Sequence, residues 1–584
     1  MNNFLRLRWQ PISIKTMATI VLVILNSAIY AQEKSGELIN YCPNSNFVVV
    51  KVKNAKELKS GLENHPLKKL IYNDKTKDRL DDIFKISKKD DDNDESKEEK
   101  ELSKKTFDKL FSSFTGEIML SVSFEKMEEA QFKTGAEFVG ALIAQVDQEL
   151  FQEFIKMDVA NHEKSKTKNT ITKKQHEGIE YYSIVSENSK DNSFSAVSNG
   201  LGILCSDEEV FKKILTANVK KSALENGLKS NESLFRFLNS NQSKDVLVSM
   251  DFTLIFKNQL SKEPEGMQKI ILDSLKLDKL FQINATFDLD EKVDSFELTF
   301  NCLDDGILQF FTFKNNEFVP SGFISADVSS YTRAFFSISD LKKKIIEFMG
   351  KINPQFVELY NRYLAGMKVE LQMDPDALFD SIGDDTECFT SLLKDGSEDK
   401  LFVNKLKNQS NFITNLASLL NHPGFKQGIE ATLSLVENKE GENRYWSFTS
   451  KNSDPKAKPN SFALGSTDTL AFLSYPSSSA QKHIALLKKS ADSKLSSSAI
   501  YNTTRALYPA KVALFRFDMT KDLILFLKAG LANQQATISK INPNIEKITS
   551  ILDELKAEDF KGNISFGLWK DTNKISLAVK LTNK

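Results

Sequence analysis

The twelve residues from Asp90 to Glu101 read DDDNDESKEEKE. They set oxygen-bearing side chains at Asp90, Asp92, Asp94, Ser96, Glu98 and Glu101, the ligand spacing of a calcium-binding EF-hand loop. Such a loop needs glycine at its sixth place for the sharp turn, and Glu95 stands there. Lys97 occupies the place that normally carries an apolar tie, and Lys88 and Lys89 flank the run. A solvated charged insertion explains the same composition, so no metal is assigned. A second acidic group, DPDALFDSIGDD from Asp374 to Asp385, reads as a helix start. Asp374 serves as the cap, Pro375 fits the first turn, Asp376 complements the helix dipole, and Gly383 is expected to end the helix.

Nucleophilic chemistry finds little support. No GxSxG elbow occurs, and the Ser123–Lys126 pair in SFEK lies too close to the KTG at Lys133–Gly135 for a penicilloyl-serine arrangement. The histidines His65, His162, His176, His422 and His483 show no metal-helix spacing, and no glycine loop cradles a phosphate. The NHP at Asn64–Pro66 and at Asn421–Pro423 reads as a loop-to-helix junction. A catalytic histidine would need a companion brought to it by folding. No catalytic, cofactor-binding or metal residue is therefore assigned, and no cofactor is implied.

Composition narrows the class. The formal charge of −1 comes from 78 basic and 79 acidic residues mixed along the chain, without the clustered basic face that nucleic acid requires. Apolar residues make up 40% and include 43 Phe, enough for a sizeable core in more than one domain. Cys42, Cys205, Cys302 and Cys388 lie far apart, with no CxxC pair. They suit buried free thiols, with a Cys42–Cys302 bridge as the alternative in an oxidising compartment. At the N-terminus, Arg6, Arg8 and Lys15 precede MATIVLVIL and then NSAIYA ending at Ala31. This is the layout of a cleavable signal peptide, with a retained anchor as the alternative. Bulky Tyr41 before Cys42 argues against lipidation, and no second long apolar run follows.

The elements follow from periodicity. FQINATFDL, Phe281 to Leu289, alternates apolar and polar residues, and FKGNISFGL at Phe560 to Leu568 repeats its Phe, Asn, Phe and Leu. Four further phrases recur in the same order: LFSSF and LFDSI, YYSIVS and YWSFTS, SFSAVSNGLGILCS and SFALGSTDTLAFLS, VLVSMD and VALFRFD. Collinear echoes point to an internal duplication. Each copy closes on an alternating hairpin with one face on a core and one in water. EIMLSVSF and NFVVVKV alternate likewise. Helices are expected from SDEEVFKKIL, with Ser206 and Glu209 as a capping box, from SYPSSSAQKHIALLKK, starting near Ser474 and Pro476, and from NIEKITSILDEL.

The run FVPSGFISADVSSYTRAFFSISDLKKKI, followed by MDPDALFDSIGDD, resembles a family of uncharacterised secreted bacterial proteins. The match is sharpest over Phe318 to Asp385. The resemblance implies the architecture and secretion, and it brings no active site to transfer.

The expected fold is α+β: two tandem similar lobes, each a largely antiparallel sheet with helices mainly on one face and a C-terminal β-hairpin. The divisions are a signal peptide at 1–31, a tail at 32–40, a first lobe at 41–303 with a charged insertion at 87–103, a join at 304–317 and a second lobe at 318–584. The expected function is non-enzymatic: a secreted or periplasmic protein that binds a protein partner or ligand through a surface or inter-lobe groove. A carrier of an apolar ligand or lipid is the first alternative, and an envelope or extracellular hydrolase the second.

Overall fold

The computed structural model describes residues 38–58, 105–124, 138–164, 169–186, 192–257, 267–290, 292–393, 397–451, 460–528 and 562–582, apart from a few single or paired positions within them. The signal peptide, the Asp90–Glu101 run, His65, Lys133–Gly135 and NIEKITSILDEL lie outside the described residues. The chain divides into two compact units, one of residues 1–254 with 282–290 and one of 255–281 with 291–584.

The first unit holds β1 (Val48–Val52), β2 (Phe114–Phe124), β3 (Phe138–Val146), α1 (Gln148–Lys164), β4 (Asn169–His176), β5 (Ile179–Ser186), β6 (Ser193–Ser198), β7 (Leu201–Cys205), α2 (Glu208–Lys220), α3 (Glu232–Ser240) and β8 (Val246–Asp251). After α4 (Met267–Leu275), which belongs to the second unit, comes β9 (Phe281–Asp288). The sheet runs β4-β5-β6-β7-β3-β2-β1-β8-β9, every pair antiparallel.

The second unit continues with β10 (Val293–Cys302), β11 (Asn316–Glu317), β12 (Ser330–Phe335), α5 (Ile338–Ile352), α6 (Pro354–Glu370), α7 (Pro375–Ser381), β13 (Ile382–Leu392) and β14 (Glu398–Leu406). Then come α8 (Gln409–Asn421), α9 (Pro423–Glu430), β15 (Leu433–Glu440), β16 (Asn443–Ser450), β17 (Ser461–Ser466), β18 (Leu470–Tyr475), α10 (Ala480–Leu487) and α11 (Ala499–Arg505). It ends with β19 (Lys511–Val512), β20 (Leu514–Met519), β21 (Asn563–Asp571) and β22 (Lys574–Thr582). Its sheet runs β15-β16-β17-β18-β14-β13-β12-β20-β21-β22-β10, again antiparallel throughout, and β11 pairs β19 apart from it. The class is α+β with extensive antiparallel sheet, many helices and a C-terminal hairpin, β21–β22.

Helices cover both faces of each sheet, which departs from the expectation of one covered face. In β1, Val49 joins a core with Phe211, Ile214 and Leu234 of α2 and α3, while Val50 and Val52 join another with Phe151, Phe154 and Ile155 of α1. In β16, Tyr445 packs with Ile484 and Tyr501 of α10 and α11, and Trp446 with Phe412 and Leu416 of α8. Successive strand residues point to opposite faces, so the consecutive apolar residues of VVV and YW bury both.

The hairpin faces are also the reverse of a simple polar-out reading. Gln282, Asn284 and Thr286 of β9 are buried, as are Asn563, Ser565, Ser576 and Thr582 of β21 and β22, while Ile283, Phe287, Ile564 and Phe566 are only half-buried. Hydrogen bonds make the polar face tolerable: Gln282 Nε2 donates to Ser249 Oγ at 3.3 Å, Thr504 Oγ1 donates to Asn563 Oδ1 at 3.1 Å, and Tyr508 Oη lies 2.9 Å from Ser565 Oγ.

Two helix starts shift as well. Asp207, not Ser206, caps α2 by accepting from Val210 N–H at 2.8 Å, and Ser206 Oγ instead accepts from Gly140 N–H. Ser474 lies within β18, and α10 begins at Ala480. The start of α7 is as read: Asp374 caps it, with Pro375 in the first turn. The helix ends at Ser381, and Gly383 follows its C-cap Ile382 at a register shift in β13, where a Cβ would come within 1.8 Å of the Lys405 carbonyl oxygen.

Candidate functional site

In the second unit, four strands leave part of one sheet face open. Tyr331, Phe389, Leu401 and Phe515 point into the core beside α10 and α11, so their neighbours in sequence point the other way. Antiparallel register lines those neighbours up in rows. Arg516 stands opposite Thr332, Thr332 opposite Cys388, and Cys388 opposite Phe402. The next row is Asp518, Ser330, Thr390 and Lys400. Leu392 and Glu398 follow, and Ser329 and Asp522 complete the wall of a cavity of about 290 Å3.

The groove carries two cations and three acids, and both cations pair with acids beside them. Residues two apart on a strand share a face, so Arg516 forms a fork with Asp518 through Nε at 2.6 Å and Nη2 at 2.9 Å. Lys400 pairs with Glu398 at 2.5 Å by the same rule. The bond to Asp518 holds the Arg516 guanidinium protonated even more firmly than usual. Burial pushes the Cys388 thiol up to about 12, so it sits in the groove as a neutral polarisable wall, not a nucleophile. The hydroxyls of Ser330, Thr332 and Thr390 add short donors and acceptors to the floor.

A second constellation contains residue types that could do chemistry. Ser474 Oγ lies 2.7 Å from His483 Nδ1, and His483 Nε2 lies 3.1 Å from Asp399 Oδ1. These are the companions of a histidine that the sequence alone does not supply, because β14, β18 and α10 bring them together. Burial pushes the Asp399 carboxyl up, but hydrogen bonds from His483, Lys482 and Ser479 outweigh it and hold the carboxyl far below the usual carboxylate range. Ser474 is 0% and His483 1% exposed, so the hydroxyl meets no substrate in this structure. The cluster ties the start of α10 to β14.

A third polar cluster runs from the core to its edge. Arg333 of β12 forks onto Asp385 at 2.9 and 2.7 Å and lies 3.3 Å from Glu387, while Tyr331 Oη donates to Glu387 at 2.7 Å. Burial first, and then the Glu387 carboxylate, push the Tyr331 hydroxyl well above its ordinary value.

The remaining candidates separate. His162 contacts Asn169, His176 contacts Thr216, and His422 stands at the N-cap position of α9 ahead of Pro423 without a side-chain capping bond. All four cysteines are free, and burial raises the Cys42 thiol to about 12 and that of Cys302 to about 11. Among the described residues, no group of three or more His, Cys, Asp or Glu is placed to hold a metal ion. No described helix is long and apolar enough to cross a membrane.

No protein-family model matches the chain, and no curated protein matches it. One solved structure, that of TP0453 in crystal form I, is similar over 48% of this chain and 88% of its own length, at 10% identity and a TM-score of 0.23. A score that low carries no argument about either fold or activity.

Proposed function

We propose that the protein is a non-catalytic, secreted or periplasmic binding protein built as two copies of one lobe, and that the open sheet face of the second unit is its ligand site. The observation that carries the binding reading is the groove of about 290 Å3, in which Arg516 and Lys400 are already neutralised by Asp518 and Glu398. A site whose two cations are both paired and whose wall carries one acid more than it has cations favours an uncharged or singly basic polar ligand that exchanges hydrogen bonds with Ser330, Thr332 and Thr390 and lays an apolar edge on Phe402 and Leu392. Its size suits a small molecule or the tip of a partner's loop.

The two-lobe reading draws support from strand order. From β4 to β9 the first sheet reads as the second does from β15 to β21. The paired phrases fall on equivalent strands: YYSIVS lies in β5 and YWSFTS in β16, and VLVSMD forms β8 where FRFD lies in β20. The resemblance over Phe318–Asp385 and the leader-like N-terminus support export.

Native mass spectrometry on gently purified protein tests the site. The wild type should carry a small polar adduct that Thr332→Trp, which fills the cavity, and Phe402→Glu both lose without a change in melting temperature. An adduct retained by both variants, or none on the wild type, overturns the reading.

A further inference from the structure

The groove on the open sheet face of the second unit holds one charge without a counterpart. Both oxygens of Asp518 already accept from the Arg516 guanidinium, and Glu398 is taken up by Lys400. Asp522 is the third acid of the wall. It is half-buried, and its side chain forms no ion pair or hydrogen bond among the described residues. Its place follows from the strand ends. Met519 N–H donates to the Ser329 carbonyl at 2.9 Å and Ser330 stands opposite Asp518, so the residues after β20 emerge beside the start of β12. Asp522 therefore shares one end of the groove with Ser329 and Ser330. Leu392 carries that end into β13, and Phe402, 39% exposed, stands in the far row.

The unpaired acid discriminates between ligand charges. An anion would have to break one of the two existing pairs to find a cation. A neutral ligand that covers Asp522 strips water from a carboxylate and puts nothing in its place, which is costly. An ammonium group offsets that loss, because one N–H meets the Asp522 carboxylate and the others fit the hydroxyl oxygens of Ser329 and Ser330. We propose that the ligand of this groove is a small aliphatic amine, held by Asp522 at its ammonium end and by Leu392 and Phe402 along its apolar body. The assignment rests on the groove being the ligand site and adds the charge of what enters it.

Calorimetric titration of the full chain with hexylamine, hexanol and hexanoate tests this, with melting temperature measured alongside. The wild type should bind hexylamine about tenfold more tightly than hexanol, the size of effect expected of one charge-assisted hydrogen bond, and hexanoate least. Asp522→Asn removes the charge at nearly constant shape. It should bring hexylamine down to the level of hexanol and leave hexanol unmoved. Asp522→Lys should invert the order, so that hexanoate binds best. Hexylamine and hexanol bound equally by the wild type, or a preference for the amine that survives Asp522→Asn, overturns the amine assignment. The groove itself then still stands, provided that Thr332→Trp abolishes binding of both. No binding of any of the three probes, or binding that Thr332→Trp leaves intact, overturns the groove reading and this proposal together.

Discussion

In each unit a cation on one strand, β1 or β12, meets an acid on the neighbouring strand, β2 or β13, but the surroundings of the two pairs differ. In the first, Lys51 of β1 and Glu117 of β2 lie 2.8 Å apart, with side chains 5% and 0% exposed. In the second, Arg333 of β12 meets Asp385 of β13 at 2.7 Å, and Glu387 stands opposite Arg333 whereas Met119 stands opposite Lys51. The first pair is sealed, one charge against one. The second has two carboxylates for a single guanidinium, and Tyr331 O–H together with the Ser321 N–H donates to Glu387 to satisfy the extra acid. An antiparallel strand pair thus accommodates either a minimal ion pair or a network, according to how many polar partners surround it.

The largest effect should come from breaking the sealed pair. Glu117→Ala strands a buried ammonium and should destabilise the first unit by about 3–5 kcal/mol in urea unfolding, whereas Lys51→Met with Glu117→Leu should cost little. A single variant that costs no more than the double would remove the contrast drawn here. The next effect lies at the register shifts. A methyl on Gly383 meets the backbone oxygen of Lys405 at 1.8 Å, while one on Gly116 meets the movable Oε1 of Gln145 at 1.7 Å. Gly383→Ala should therefore cost about 2 kcal/mol and Gly116→Ala distinctly less, by the same denaturation measurement. Equal losses would mean that the two shifts are equally rigid.

The smallest effect depends on pH. Burial pushes the Glu208 carboxyl up, but hydrogen bonds from Tyr181, Lys174 and Lys212 overcome this and leave it at about 2. A depressed carboxyl stabilises the fold above its unfolded value and stops doing so as pH falls through the folded one. Glu208→Gln should therefore cost about 1 kcal/mol at pH 7 and nothing in strong acid.

Local signals were legible from residue types. Asp374, Pro375 and Asp376 announce α7, and the alternation of FGL and ISLAVKL announces β21 and β22, because caps and period-two patterns depend on neighbours alone. Which hairpin face would be buried was not legible. That depends on Tyr508 and Thr504, whose hydroxyls reach Ser565 and Asn563 from α11 and just beyond it. The groove was hidden for the same reason, since its rows join β12, β13, β14 and β20. Ser474, His483 and Asp399 likewise carry no recognisable spacing.

One feature of the strand order bears on how the chain acquires its shape. In each sheet one strand, β1 or β12, is flanked by the strand that follows it in the sheet and by one that arrives much later, β8 or β20. Closing that partnership joins segments roughly 200 residues apart, and such distant pairing slows the search for the native arrangement. During synthesis the first unit must wait with one edge of β1 unpaired until β8 has emerged, so that edge is where a chaperone would be needed first.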